Sequence, residues 1–176
     1  YQTATNITTG AQNVAVGNRA LNQSQTANNN VAIGFDALYY TSTGTLNTAS
    51  GYRALYGNTT GQQNTAVGNC ALYANTTASF STAVGGHSLK ANTTGACNTA
   101  FGYVTLAANT TGAQNTGLGY AALLSNTTSS NSTGVGYRVL QSSTTGNNNT
   151  AVGACSMCLT TTGGQNTALG SRTLAG

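Results

Sequence analysis

Apolar and polar residues alternate along this chain in a pattern that repeats every 17 residues, without a single insertion or deletion. Each repeat contains two short apolar runs, typified by T-A-V-G and R-A-L-Y, followed by a polar segment typified by N-T-T-G. Such β-tolerant runs separated by turn-forming residues predict strands and corners, and a strict period indicates a stack of equivalent units. The ten copies begin at residues 13, 30, 47, 64, 81, 98, 115, 132, 149 and 166.

A helical repeat explains this pattern less well. Two successive copies could form one helix–turn–helix unit, but odd and even copies do not differ systematically. Most copies also carry Gly, Asn and a Thr-Thr pair, which are poor helix formers. We therefore predict an all-β fold, a parallel β-solenoid with one 17-residue repeat per coil and about ten coils. At roughly 4.8 Å per coil, the rod would be roughly 50 Å long.

The most constant repeat positions are those that would build the coil, with Asn13 numbered as position 1. Position 9 is Leu in nine copies, position 14 is Thr in all ten copies that reach it, and position 4 is apolar in all but one. We expect the side chains of positions 4 and 9 to be buried. Position 5 is always Gly, which predicts a backbone of positive φ or one that leaves no room for a Cβ. This structural ladder comprises Gly17, Gly34, Gly51, Gly68, Gly85, Gly102, Gly119, Gly136, Gly153 and Gly170.

The predicted strand has one bulky and one small face. Positions 2 and 4 of T-A-V-G point one way, whereas positions 3 and 5 form a ladder of Ala or Gly on the other. A face of small residues suits close packing against a second sheet, either the opposite wall of the same coil or a symmetry mate. We expect self-association, as a homotrimer or a fibril.

Both ends of the chain interrupt a repeat. Tyr1 falls at position 6 and Gly176 at position 11, and neither end has the polar cap usual for a terminal repeat. We therefore expect residues 1–176 to be a single repeat array that is a segment of a longer one.

Composition narrows the functional classes. Only 3% of the residues are charged, and the net charge of +4 is spread thinly, without a basic run. This pattern does not favour a nucleic-acid partner. No segment approaches the roughly 18 apolar residues that span a bilayer, so no membrane insertion is expected in this segment.

The N-T-A-V-G block resembles the N-x-A-x-G repeat in the heads of trimeric autotransporter adhesins. The full form, as in NTAVGNCALYANTTASF and NTAFGYVTLAANTTGAQ, is similar to repeats in long tail-fibre-like surface proteins. The resemblance implies a left-handed parallel β-roll and association of three rolls. Adhesin heads repeat at a shorter period, so the N-T-T-G segment would be an extra turn. The resemblance is specific for architecture and does not identify a ligand.

The sequence lacks the combinations of residues that usually carry out catalysis. The chain has one Asp, no Glu and one His, so it contains no carboxylate pair for general acid–base catalysis. Asp36 and His87 are three coils apart, roughly 14 Å. We expect no enzymatic activity and no cofactor. At position 7, Asp36 should lie between Arg19 and Arg53 on an exposed ladder, which is either a solvated salt-bridge cluster or a polyanion-binding stripe.

The four cysteines do not form a recognisable metal or redox motif. Cys155 and Cys158 occupy positions 7 and 10 of the R-A-L-Y run, which we interpret as a strand, and no second C-x-x-C pair accompanies them. Cys70 shares position 7 with Cys155 but lies five coils away, roughly 24 Å. Cys97 is at position 17. We expect no metal site; the thiols are free, or Cys155 and Cys158 form a disulfide, or interchain bonds form.

Three ladders of polar side chains are candidates for recognition or modification. The Thr residues at positions 13 and 14 could order water as in ice-binding solenoids, although they adjoin Gly in a turn. The Tyr residues at positions 6 and 10 could contact glycans or simply stack. The Asn residues of position 12 are either glycosylation acceptors or turn residues. Those in five successive coils are Asn58, Asn75, Asn92, Asn109 and Asn126.

Together these observations favour a non-enzymatic, extracellular structural protein at a cell or virion surface. It would form the shaft or head of a surface fibre, adhesin or tail fibre. The alternative is a binding module that recognises glycans or ice through a repeated Thr or Tyr face. A host surface or its glycans are the expected external partners.

Overall fold

The structure, a computed structural model, describes residues 3–4 and 6–175. These residues form ten three-residue strands, one per repeat, in a single parallel sheet whose strand order follows the chain. Each strand covers repeat positions 2 to 4 and pairs in register with the equivalent residues of the next coil. The predicted all-β parallel β-solenoid with 17-residue coils is therefore confirmed. The strands are β1 (Val14–Val16), β2 (Val31–Ile33), β3 (Thr48–Ser50), β4 (Thr65–Val67), β5 (Thr82–Val84), β6 (Thr99–Phe101), β7 (Thr116–Leu118), β8 (Thr133–Val135), β9 (Thr150–Val152) and β10 (Thr167–Leu169).

The core is a narrow column inside the coils. The Ala or Gly at position 3 points inward and is buried in β2 to β10, so the small face of the sheet packs against the opposite wall of the same coil. That wall supplies the Leu of position 9, which is fully buried from Leu21 to Leu140 and is replaced by Met157 in the ninth coil. In most coils the methyl group of an Ala faces a Leu and fills the interior without a second layer; Gly117 and Gly134 replace the Ala in the seventh and eighth coils.

The expected burial of position 4 is wrong. Val16 is 55% exposed and Phe101 50%; six of the ten members of this column are exposed, and the other four are half-buried. Because alternate strand residues point to opposite faces, burial of the Ala at position 3 necessarily places its neighbour outside. The outer face of the sheet therefore carries a column of large apolar side chains.

The R-A-L-Y run is not a second strand. Its residues at positions 7 and 9 have positive φ in every coil, as in Arg53 (φ 53) and Leu55 (φ 51), and position 17 does too. Residues in the left-handed backbone conformation turn the chain around the Leu column, whereas residues in a strand would keep it extended. The backbone groups still bond along the axis: Arg53 N donates to Phe35 O of the preceding coil at 2.9 Å, and Leu55 N donates to Ala71 O of the following coil at 3.0 Å.

The Gly at position 5 has both properties that its constancy predicts. Gly51 has a φ of 137°, and a Cβ built on it would lie 2.6 Å from the carbonyl oxygen of Gly68. Adjacent coils therefore approach each other backbone to backbone at this corner, and any side chain would force them apart.

Candidate functional site: the charged wall and its neighbouring ladders

Every charged side chain of the sequence lies at position 7 or 10, and the structure places these positions beside each other. The Arg19 guanidinium (position 7) lies 5.3 Å from the ring centroid of Tyr39 (position 10) and 5.1 Å from that of Phe35 (position 6). We call the surface formed by positions 6, 7 and 10 the charged wall. It contains Arg19, Asp36, Arg53, His87, Lys90, Arg138 and Arg172, together with the aromatic side chains at positions 6 and 10.

Asp36 lies between Arg19 and Arg53, as predicted. Arg19 donates from Nε to Oδ1 at 2.7 Å and from Nη2 to Oδ2 at 2.8 Å, a bidentate pair, whereas Arg53 donates from Nε to Oδ2 at 3.3 Å. The expectation that this cluster is fully exposed is wrong, because Asp36 has no accessible surface. The two arginines, 39% and 34% exposed, cover it.

Aromatic rings flank both arginines. Arg53 lies 5.1 Å from the Tyr52 ring centroid and 5.3 Å from that of Tyr56, which is within cation–π range. The interaction with Asp36 raises the pKa of Arg19, so its charge is secure. This cluster combines a buried carboxylate, two guanidinium groups that cover it and four aromatic rings. It has more charged and aromatic contacts than any other cluster in the described part of the chain.

The tyrosines of the wall stack on each other. At position 10, Tyr56 lies 5.5 Å from Tyr39 and 5.1 Å from Tyr73, with nearly parallel rings. At position 6, Tyr120 stacks between Tyr103 and Tyr137. Ring faces are therefore occupied by neighbouring rings along the column, and the edges are left to meet a partner.

Tyr56 is the most perturbed of these tyrosines. Burial and a hydrogen bond with Tyr40 raise its pKa to about 12. The ring of Tyr40 also contacts the Tyr39 and Tyr56 rings edge-on, at 4.7 and 5.1 Å. Tyr56 consequently stays neutral well above physiological pH.

The Asn residues of position 12 form a buried ladder. Asn75 Nδ2 donates to Asn58 Oδ1 at 2.8 Å and to the carbonyl of Ala78 at 3.0 Å, and the same arrangement continues to Asn126. The five sequons of position 12 thus have side chains without accessible surface: Asn58, Asn75, Asn92, Asn109 and Asn126. A glycan on any of these nitrogens is incompatible with the ladder as folded, so the turn interpretation accounts for them. Their modification stays a prediction that an intact-mass measurement would test.

The Asn or Ser of position 1 forms a second buried ladder, which the sequence analysis did not distinguish. Asn47 Oδ1 accepts a hydrogen bond from the backbone N of Asn64, and Asn64 Nδ2 donates to the carbonyl of Ala78. Each of these side chains thereby joins two corners of the coil. Its near-constancy in the sequence was the available signal.

The Thr columns of the polar corner differ in accessibility. At position 13, Thr76 Oγ1 donates to the carbonyl of Thr93 at 3.1 Å, which fixes the corner between coils. At position 14, Thr77 is exposed. The two residues are consecutive in a bend and do not form a flat pair on a strand, which is the geometry that ice recognition requires. Ice binding stays a prediction.

The cysteines are free thiols in the structure. Cys155 and Cys158 lie close to each other on the charged wall, in a turn and not in the expected strand. Burial, and then the neighbouring Cys155, raise the pKa of Cys158, which makes it a weaker nucleophile at neutral pH. A disulfide between them stays a prediction, and Cys97 is exposed on a separate corner.

The described residues contain no group of three or more His, Cys, Asp or Glu side chains that could hold a metal ion. Nor do they include a helix of the length and apolarity needed to cross a bilayer.

Comparison with known proteins adds no functional assignment. No protein-family model matches the sequence, and no curated protein or solved structure is significantly similar to it.

Proposed function

We propose that this chain is a non-enzymatic, extracellular structural module that self-associates, as a homotrimer or fibril, into the shaft or head of a surface fibre such as an adhesin or tail fibre. The observation that carries the proposal is the exposed apolar column at position 4. Its members include Ile33 (43% exposed), Val67 (39%) and Leu118 (45%), in a sheet whose outer face has no charged side chain.

An apolar stripe of this kind, interrupted only by Ser50, favours a protein partner. Large exposed apolar patches on soluble proteins mark interaction sites. The stripe follows the rod axis with one side chain per coil, so a second rod of the same period would match it coil by coil. The absence of charge at positions 2 and 4 means that like copies would not repel each other there.

The chemistry of the charged wall supports a role without catalysis. The only acidic side chain, Asp36, is neutralised by Arg19 and Arg53, which leaves no free carboxylate for proton transfer. His87, the single histidine, belongs to another coil and makes an edge contact with Tyr103.

The direct test is the mass per unit length of the native particle, measured by scanning transmission electron microscopy. A trimer would contain three 17-residue coils per rise of roughly 4.8 Å. Sedimentation of a Val67→Asp/Leu118→Asp variant provides the second measurement. We expect it to dissociate to single chains, whereas Val104→Asp, on the charged wall, should remain assembled.

Particles that are single chains at every concentration would contradict the proposed association. Equal dissociation of both variants would show that position 4 is not the contact, and would move the interface to another wall.

A further inference from the structure

The rod has one charged wall, and the charge that this wall presents to solvent is positive. All five Lys and Arg residues and the single Asp lie at positions 7 and 10. Lys90, Arg138 and Arg172 are exposed, whereas Asp36 is completely covered. A solute that approaches this wall therefore meets cations, and one that approaches the other walls meets none.

Arg53 is held in place yet retains most of its hydrogen-bonding capacity. Only its Nε donates to Asp36, at 3.3 Å, because Arg19 already holds the carboxylate bidentately. The guanidinium also contacts two rings, with Cζ 5.1 Å from the Tyr52 centroid and 5.3 Å from the Tyr56 centroid. A pre-oriented guanidinium with free terminal N–H groups suits a carboxylate or a sulfate, which it can bind through two parallel hydrogen bonds.

The hydroxyl groups beside Arg53 repeat over three successive coils. Tyr39, Tyr56 and Tyr73 stack at 5.5 and 5.1 Å, so each of these three coils supplies one phenol at this column. That spacing is close to the length of one pyranose unit in an extended polysaccharide. Because the ring faces are occupied by stacking, the column would contact sugars through hydroxyl groups and ring edges.

The spacing of the cations indicates an acidic polymer of low charge density. The cations that are not in a bidentate ion pair belong to the third, fifth, eighth and tenth coils, so their backbones are roughly 10 to 14 Å apart along the axis at about 4.8 Å per coil: Arg53, Lys90, Arg138 and Arg172. Duplex DNA carries one charge per roughly 1.7 Å, far more than this wall could neutralise. A polymer with one acidic group for about every two or three sugars matches the spacing.

We propose that the charged wall binds a linear acidic polysaccharide, bearing carboxylate or sulfate groups, that lies parallel to the rod axis and is anchored at Arg53. The proposal goes beyond the structural role and does not depend on it, because the wall is distinct from the outer face of the sheet.

The test is binding of the intact chain to four immobilised polymers by surface plasmon resonance. Heparin and alginate are the sulfated and carboxylated probes, dextran is the neutral control, and duplex DNA is the competing polyanion. We expect salt-sensitive binding to heparin, alginate or both, none to dextran, and weaker binding to DNA. Absence of binding to both acidic polysaccharides, or tighter binding to DNA, would overturn the proposal.

Two variants, each lacking one positive charge, distinguish specific binding at Arg53 from non-specific electrostatic attraction to the charged wall. Arg53→Gln should weaken binding about tenfold, as expected for loss of one charge-assisted contact. Arg172→Gln, at the other end of the wall, should weaken it no more than about twofold. Equal losses would overturn the anchor at Arg53.

A third variant covers the case in which Arg53→Gln fails to fold. Lys90→Gln alters an exposed side chain that has no ion pair with Asp36. It should weaken binding more than Arg172→Gln, and the reverse order would overturn the proposed site. The mass per length of the same samples reports assembly independently, so the two proposals can fail separately.

Discussion

At the scale of single residues, the coil depends on backbone conformations with positive φ. Glycine adopts all of these conformations readily, but most of the positions concerned carry other residues. Positions 7, 9 and 17 adopt a φ near 50–60° with Arg, Leu, Val or Phe side chains, as at Val104 (φ 50) and Phe80 (φ 61). Each such residue costs roughly 1–3 kcal/mol relative to a relaxed one. They are tolerated because hydrogen bonds to both neighbouring coils fix the backbone around them.

Position 5 is more demanding, since its φ of about 120–140° is accessible only to Gly. We expect Gly51→Ala to destabilise the rod by roughly 2–5 kcal/mol, from strained φ plus the clash with Gly68. Gly163→Ala is the control, because its φ is not positive and its Cβ would approach only side-chain atoms, of Thr160 at 3.3 Å and of Asn166 at 3.4 Å. It should cost less than about 1 kcal/mol. Urea unfolding of both variants, followed by circular dichroism, measures the difference, and equal midpoints would contradict it.

Tyr56 gives the fold a dependence on alkaline pH. Its pKa is about 12 in the folded chain and about 10 when unfolded, so folding favours the neutral phenol. This contribution is complete below pH 10 and is lost as the pH rises from about 10 to about 12. Spectrophotometric titration should show a late phenol ionisation near pH 12. In Tyr56→Phe that late step should disappear, and its persistence would assign the raised pKa to another tyrosine.

At the scale of one ladder, the buried amides of position 12 end at Asn126, because the next coil has Ser143 at this position. Asn126 Oδ1 has no hydrogen-bond partner, and neither has the hydroxyl of Ser143, which replaces Asn in the next coil. Uncompensated burial of a polar atom costs roughly 1–3 kcal/mol. The ladder therefore stabilises the coils that continue it and penalises the coil where it ends.

Extending this ladder should stabilise the rod. In Ser143→Asn, the new Nδ2 would donate to Asn126 Oδ1 and to the carbonyl of Gly146, following the pattern of the rungs from Asn75 to Asn126. We expect a gain of roughly 1–2 kcal/mol in the free energy of unfolding. Ser142→Asn, one residue earlier and partly exposed, is the control and should have little effect. A loss of stability in Ser143→Asn would show that the ladder cannot extend past Asn126.

The sequence predicts which residues stack in columns better than it predicts whether a column points into the core or towards solvent. The 17-residue register and the pairing of Asp36 with Arg19 and Arg53 follow from periodicity alone, because stacked coils place residues i and i+17 together. The burial of Ala in place of Val at the strand does not follow, since alternation leaves either face free to point inward. Nor does the shape of R-A-L-Y, because Leu and Arg give no local signal for positive φ. Nor does the burial of Asp36, because it depends on how the side chains of Arg19 and Arg53 lie over the carboxylate.

At the scale of the whole molecule, each strand of the sheet contacts only its neighbours in the stack. The free energy of unfolding is then close to a sum of contributions from the coils and from the interfaces between them. A destabilising substitution should therefore have different effects in a terminal coil and in a central coil. Gly17→Ala and Gly68→Ala are matched, with φ of 122° and 133° and a Cβ 2.7 Å from the carbonyl oxygen of the next coil.

Hydrogen exchange measured by mass spectrometry distinguishes the two variants. Gly17→Ala should remove protection from the first coils only, because the remaining stack is intact. Gly68→Ala should weaken the coils on both sides of residue 68, because it interrupts the stack internally. Identical exchange maps would mean that the ten strands unfold as one cooperative unit.

The direction of the hydrogen bonds between coils also determines how the rod would respond to force. Since these bonds run along the axis, a pull applied to the two chain ends acts on successive interfaces in series. Coils would then peel away singly, and each would release roughly 50 Å of chain, taking roughly 3.3 Å per extended residue less the height of the coil. A fibre that carries such a segment would lengthen in equal steps under load and re-form from the coils that remain.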